Sequence, residues 1–265
     1  YSSAASDVYK RQVHTPLQAK KEVIAKYEKI PEAQRQGSPI YAAMVESVDD
    51  SVGRVVATLK ELGLEQSTMI VFTSDNGGFF NATSNAPLRA NKGAYYEGGI
   101  RVPLIVKWPG VAQPDRVSAE PVTSTDLYPT LLAAAGQAPR PNQHRDGLNL
   151  QPVLAGSGSL GRAALYWHFP HYNEHPSSVP SSVIRKGSWK LIETFDPAGV
   201  ELYNLADDLS EKNNLAAAQP TLAADLRRDL EAWRQTVGAE MMQPNPDYDP
   251  NVQWPQKGKR KKAGK

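Results

Sequence analysis

The stretch Met69-Ile70-Val71-Phe72-Thr73-Ser74-Asp75-Asn76-Gly77-Gly78 constrains the fold more than any other part of the chain. A run of apolar and β-branched residues closed by glycine spells a buried strand. An Asp-Asn pair stands where the strand ends, and two glycines let the backbone turn sharply or approach a ligand. Both side chains offer hard oxygen atoms suited to Ca²⁺ or Mg²⁺. In open α/β sheets, ligands gather outside the carboxyl ends of strands. Taken alone, Asn-Gly is a common turn pair, and the stretch is then a strand ending in a polar turn.

Upstream, Ser38 caps and Pro39 opens a helix that Gly63 closes. Ile40, Met44, Val48, Val52, Val55, Val56 and Leu59 fall on one face at helical spacing. Asp49 and Asp50 are neighbours in sequence, point apart, and read as a solvated face or a local cap for a neighbouring loop. A helix feeding a continuously apolar strand argues for a parallel sheet sandwiched between helices. Leu17, Val23, Ile24 and Tyr27 outline a shorter helix before it. Further on, residues 122–124 suggest a short strand, and Thr125 or Asp126 caps a helix that stops at Gly136.

A chain of 265 residues can bury a sizeable core in one large or two ordinary domains. Cysteine is absent, which excludes disulfides and thiolate metal sites. No apolar run is long enough to span a membrane. The net charge of +2 owes much to residues 257–265, a solvated basic tail without the interleaved aromatics that stack nucleic-acid bases. Neither membrane nor nucleic acid is expected as a partner. Residues 1–12, which do not begin with Met, read as a non-native leader.

Composition changes at Gly156-Ser157-Gly158-Ser159. Residues 164–168, 182–185, 189–193 and 200–203 read as four short strands separated by tight turns, an antiparallel sheet. A helix from Thr221 then carries Leu222, Leu226, Leu230, Trp233 and Val237 on one stripe. The expected division is residues 13–156 as an α/β part, 157–243 as a small α+β subdomain, and 244–265 as a Pro-rich wrap and tail. Within the second part lies Trp167-His168-Phe169-Pro170-His171-Tyr172, followed by His175. Pro170 and Pro176 oppose the helix that a three-histidine metal site would need at this spacing. Aromatic faces and imidazoles suit a sugar ring, with His168 and His171 as substrate contacts; the alternative is a strand edge with solvated histidines.

After Gly78 the chain continues Pro87-Leu88-Arg89-Ala90-Asn91-Lys92-Gly93-Ala94-Tyr95-Tyr96-Glu97-Gly98-Gly99-Ile100-Arg101-Val102-Pro103. Strand, Ser-Asp-Asn-Gly, a Lys-Gly loop and Tyr-Glu-Gly-Gly-x-Arg-x-Pro closely resemble the sulfatase family of the alkaline-phosphatase superfamily. The resemblance implies a partial alkaline-phosphatase-like mixed or parallel sheet between helices, followed by the antiparallel subdomain. It also implies hydrolysis of a sulfate ester, either a sulfated glycan or an aryl sulfate, in the periplasm or outside the cell. Ca²⁺ is the implied cation (Mg²⁺ the other choice), with Asp75 and Asn76 supplying part of its shell. Lys92 would bridge a sulfate oxygen and the ester oxygen. His14, in His14-Thr15-Pro16-Leu17, would reach the sulfate group and, as imidazolium, donate a proton to the leaving group. Glu97 and Arg101 read as an ion pair bracing Gly98-Gly99.

The sequence departs from the family pattern at the nucleophile. Sulfatases use a formylglycine made from Cys or Ser in Cys/Ser-x-Pro-x-Arg, and the nearest lookalike here, Asn85-Ala86-Pro87-Leu88-Arg89, has Asn in that place. The paired Asp residues of the family's metal shell are also missing. The resemblance thus corresponds to the C-terminal half of an enzyme whose formylglycine lies in an N-terminal part. This chain alone is expected to be inactive and to bind calcium weakly. Two further classes fit the residues: a phosphoesterase or phosphonate hydrolase of the same superfamily, and a non-catalytic glycan-binding module built on residues 167–175.

Overall fold

The computed structural model describes residues 13–173, 175, 178–247 and 249. The leader at 1–12, the basic tail and most of the Pro-rich wrap lie outside them. Helices α1 (Lys21–Glu28) and α2 (Pro39–Glu61) come first, then β1 (Ile70–Thr73), the single-turn α3 (Glu97–Ile100) and β2 (Leu104–Lys107). Helices α4 (Leu127–Ala134) and α5 (Gln151–Leu154) lead to β3 (Leu165–Phe169), β4 (Ser181–Lys186), β5 (Trp189–Phe195), β6 (Ala198–Asn204) and α6 (Pro220–Val237). The result is a mixed α/β architecture with two sheets, β1-β2 and β3-β4-β5-β6.

Strand alternation explains why the larger sheet is the core. Successive side chains of a strand point to opposite faces, so Ile184, Leu191 and Leu202 face one way while Val183, Ile192 and Tyr203 face the other. The first set packs on Ala223, Leu226 and Leu230 of α6, with Leu222 and Trp233 at its margin. Tyr166 and Trp233 stack with their planes 4° apart. The second set packs with Leu205 against Trp167, Tyr95 and Tyr96. The sheet is therefore covered on both sides, by a helix and by the loop that carries Lys92. Gly238 ends α6 in the left-handed conformation, with φ of 63°.

The N-terminal part differs from expectation in pairing and burial. Strand β1 pairs with β2 antiparallel, Ile70 opposite Lys107 and Thr73 opposite Leu104. A parallel neighbour needs a long crossover, usually helical; here the intervening segment folds back at the end of β1, and β2 returns the opposite way. Phe72 and Ile105 stay exposed. Helix α2 buries only Ala43, and Val45, Val55 and Val56 of its apolar side are exposed. The expected sandwich is thus not closed here: among the described residues α1 is the helix that packs on α2, joined by Tyr27 and Lys26 donating to Glu46 at 2.6 and 2.7 Å. Ser38 holds the N-cap position without a side-chain cap; its N–H donates to the Ala82 carbonyl instead.

The strand expected at 122–124 is not one. Thr123 and Asp126 form a reciprocal capping box over a 3₁₀ turn, Ser124–Asp126. Fully buried Asp126 also accepts from the Leu148 N–H and pairs with Arg162; it stands at the N-cap position of α4, but its side chain serves the Thr123 box and makes no cap bond to that helix. No described helix is long and apolar enough to cross a membrane.

Leu230 is fully buried between α6 and the sheet, whereas Val237 on the same stripe is half exposed. Leu230→Ala should therefore cost about 2–5 kcal/mol by cavity formation, while Val237→Ala should stay within about 0.5 kcal/mol. Urea unfolding midpoints measure both.

Candidate active site

Glycine makes the site possible by letting backbones approach where a side chain would intervene. A Cβ on Gly77 would lie 1.8 Å from the Gly98 carbonyl oxygen, and one on Gly99 would lie 2.0 Å from that of Ala94. The strand-end turn and the Tyr-Glu-Gly-Gly turn thus pack backbone to backbone, and Gly77 N–H donates to Gly99 O at 2.9 Å. The Lys92 N–H donates to Gly78 O at 3.0 Å. Asn85 stitches the same place together: its Oδ1 accepts from Gly78 N–H, and its Nδ2 donates to the Gly78 and Ala90 carbonyls. Asp75 and Asn76 therefore sit on the turn whose next residues carry the Lys92 loop. Asp75 is exposed, and Asn76 is half-buried with its Nδ2 donating to Gly77 O.

Lys92 and His14, distant in sequence, meet. The Lys92 Nζ lies 3.1 Å from His14 Nε2. His14 Nδ1 lies 3.0 Å from the Thr15 carbonyl; with Nδ1 as donor there, Nε2 is left as the acceptor for the ammonium. A compact cation and an imidazole converging in this way can share the oxygens of a tetrahedral anion.

The histidine platform divides. His168 engages both ring nitrogens inside the fold, Nδ1 with Ser182 Oγ at 2.6 Å and Nε2 with the Glu240 carbonyl at 2.7 Å. His171 is exposed and packs edge-on against Phe169, centroids 5.1 Å apart. Phe169 in turn lies 6.5 Å from Tyr95 of the Lys92 loop. Of His168 and His171, it is His171 that keeps a ring presented outward.

Behind the loop lies a charge cluster that sequence reasoning missed. Lys190, fully buried on β5, places Nζ 2.9 Å from Glu97 Oε1 and 2.8 Å from Glu211 Oε1. The second contact is charge attraction rather than an aligned hydrogen bond. Glu211 Oε2 accepts from the Glu97 N–H at 2.6 Å. The expected Glu97–Arg101 pair is present at 3.4 Å, as Glu97's outer contact. Arg89 donates to Tyr203 Oη and to the Glu211 carbonyl at 2.7 and 2.8 Å, and stacks 3.8 Å over the Tyr96 ring. Burial pushes the Tyr95 phenol up to about 12. It raises Tyr96 and Tyr203 as well, and both donate to Glu201. The available signal was a lysine beside the apolar pair Leu191-Ile192 in a strand; Glu211, at φ 51°, gave none.

Burial alone would raise Glu97, but the charges of Lys190, Arg185 and Arg101 outweigh it and hold the carboxyl below its ordinary 4.5. For Glu211 burial prevails over Lys190, and the carboxyl is raised.

Comparisons with known proteins assign the chain to a family. The model of the Sulfatase family matches residues 8–137, and that of the N-sulphoglucosamine sulphohydrolase C-terminal region matches residues 90–236. The chain belongs to the sulfatase family. It is similar to a "Sulfatase" of Formosa agariphila, 39% identical over 245 residues, covering 83% of this chain and 44% of the relative. Among solved structures it resembles Ps i-CgsB in complex with k-i-k-neocarrahexaose, at 36% identity and a TM-score of 0.72, covering 83% of this chain and 47% of that one. It also resembles BT4656 in complex with D-glucosamine-2-N,6-O-disulfate, at 28% identity and a TM-score of 0.65, covering 76% of this chain and 40% of that one. The chain spans about half the length of the relatives it matches.

Removing Lys190 would leave two carboxylates buried together. Lys190→Ala should cost about 3–5 kcal/mol, against less than about 1 kcal/mol for Arg101→Ala at the half-exposed outer pair. The two carboxyls act oppositely with pH. Glu97, lowered on folding, stabilises above 4.5 and loses that contribution as pH falls through its folded value; Glu211, raised, favours the fold more as it protonates. Stability measured by urea titration across the acid range should fall less steeply in Glu97→Gln and more steeply in Glu211→Gln.

Proposed function

We propose that this chain is the anion-gripping part of a sulfatase acting on sulfated carbohydrate, with Lys92 and His14 holding the sulfate group. The observation that carries the reading is the 3.1 Å contact between Lys92 Nζ and His14 Nε2 at the carboxyl end of β1. A sulfate ester is a weak electrophile whose negative oxygens repel an attacking group, so neutralising them is the first requirement. Lys92 donates to a sulfate oxygen and, as the S–O bond breaks, to the ester oxygen that gains charge. Once a sulfate oxygen takes the place of Nε2 as the partner of Lys92, His14 is free to pick up a proton from solvent and, as imidazolium, gives it to the leaving oxygen, which departs as an alcohol. His171, on the exposed side of the Tyr95–Phe169 cluster, offers a ring for the sugar. His168, with both nitrogens occupied, would reach substrate only by giving up an internal bond.

Asp75 and Asn76 fit a hard cation by donor chemistry: one carboxylate and one amide oxygen. They fit only part of a shell, since Ca²⁺ takes about six to eight oxygens and no group of three or more metal-ligating side chains occurs among the described residues. We assign them two positions around Ca²⁺, or Mg²⁺, which when bound would act as Lewis acid on the sulfate oxygens. The sequence given contains neither Cys nor a Ser-x-Pro-x-Arg from which a formylglycine nucleophile could be made.

Two measurements follow from this division of labour. The purified chain should hydrolyse a chromogenic aryl sulfate no faster than buffer; rapid turnover would sink the assignment of the nucleophile to other residues. Sulfate should still bind, and Lys92→Ala should weaken it about tenfold, or about 1.4 kcal/mol, in a calorimetric titration. Equal affinity in the variant would refute the role given to Lys92, and a marked preference for phosphate would move the reading to a phosphoester hydrolase.

A further inference from the structure

Beyond His14, another histidine stands against the Lys92 loop, and neither the sulfate grip nor the platform uses it. The His175 ring lies on the bare Cα of Gly93: a Cβ there would fall 2.4 Å from its Cδ2, 2.5 Å from Cγ and 2.7 Å from Cβ. Gly93 also holds φ at +92°, a conformation side chains oppose. Backbone and packing thus both demand glycine next to Lys92. Phe79 and Phe80 stand edge-on to the imidazole, with centroids 6.2 and 6.4 Å away, and meet each other at 4.9 Å. The His175 N–H donates to Asn173 Oδ1 at 2.7 Å and its carbonyl accepts from Ser178 N–H at 3.0 Å, which anchors the residue on both sides. Its Nδ1 is buried without an internal hydrogen-bond partner among the described residues. A ring that meets its neighbours through carbon, at the cost of an unsatisfied nitrogen, is placed there for shape.

We propose that His175 is a positioning residue, a wedge that fixes the Lys92–Gly93 turn so that Lys92 Nζ stays on His14. The proposal rests on the reading of Lys92 as a sulfate-holding group. A loop fixed in the geometry its ligand requires loses no freedom on binding. A displacement of about 1 Å at such a group can cost as much as about 100-fold.

The test follows the His14 imidazole by ¹⁵N–¹H NMR in the whole chain, without and with inorganic sulfate. In sulfate-free solution His175→Ala should move the His14 signals towards those of Lys92→Ala, because the Nζ–Nε2 contact is lost. Its sulfate affinity should drop about tenfold, whereas His175→Phe, which keeps a flat ring and removes the orphan nitrogen, should stay within about threefold of the parent. Near-ultraviolet circular dichroism checks that each variant is folded. Unchanged His14 signals and affinity in His175→Ala would overturn the wedge and leave the sulfate grip standing. If Phe weakens binding as much as Ala does, the nitrogen and not the shape matters, and the positioning role is again wrong. If the parent chain itself shows no response to sulfate, the reading of Lys92 fails; the sulfate-free comparison then still decides whether His175 fixes Lys92.

Discussion

The buried ammonium of Lys190, held between Glu97 and Glu211, is the interaction on which the rest of the arrangement depends. A charge removed from water costs several kcal/mol unless its partners are well placed, so the three groups have little freedom to separate. Glu97 belongs to the loop, Lys190 to the middle of the sheet, and Glu211 to the segment after β6. Their mutual attraction therefore clamps the loop to the sheet. Arg89, at the other end of the same loop, is fastened to Tyr203 and to the Glu211 backbone. Lys92 lies between two anchors on one rigid surface. Lys92 thus takes its position from the C-terminal sheet, although in sequence it follows the β1 turn.

Close packing of glycines then transmits that position to the end of β1. Gly77, Gly98 and Gly99 allow the strand-end turn and the Glu-Gly-Gly turn to touch through backbone alone. Hydrogen bonds run between the strand-end turn and the following loop in both directions, from Gly77 N–H to Gly99 O and from Lys92 N–H to Gly78 O. With no side chain between them, neither turn can shift without the other. Asp75, Asn76 and Lys92 accordingly behave as parts of one unit.

Much of this was legible in the sequence, for reasons that differ by residue. The four C-terminal strands and α6 were readable because alternation and a helical stripe report directly on faces that are buried. The approach of the Lys92 loop to the Asp75-Asn76 turn was readable through an ordered motif, whose glycines prove to be contact points between backbones. The pairing of β1 with β2 was not readable, because an apolar run records burial and not the direction of its neighbour. Val55 and Val56 show the converse: helical spacing places residues on one face without saying what covers it. The Lys190 cluster was hidden for another reason. Its members are separated by about a hundred residues between Glu97 and Lys190, and a charge in a strand looks solvent-facing until its partners are known.

The two halves of the anion grip are held very differently. Lys92 is fixed through the clamp, the glycine contacts and, on the reading above, the His175 wedge. His14 is exposed and precedes α1, a helix that buries none of its residues. Its link to the rest of the site is the contact with Lys92 itself, alongside a local bond to Thr15. Segments with few buried contacts open at low free-energy cost. On the reading proposed above, Lys92 presents a preorganised charge, and the ordering of His14 is drawn from the binding energy of the anion. That asymmetry suits the roles proposed for them: a fixed lysine would define where a sulfate sits, and a loosely held imidazole would be free to follow the leaving oxygen as its bond to sulfur lengthens.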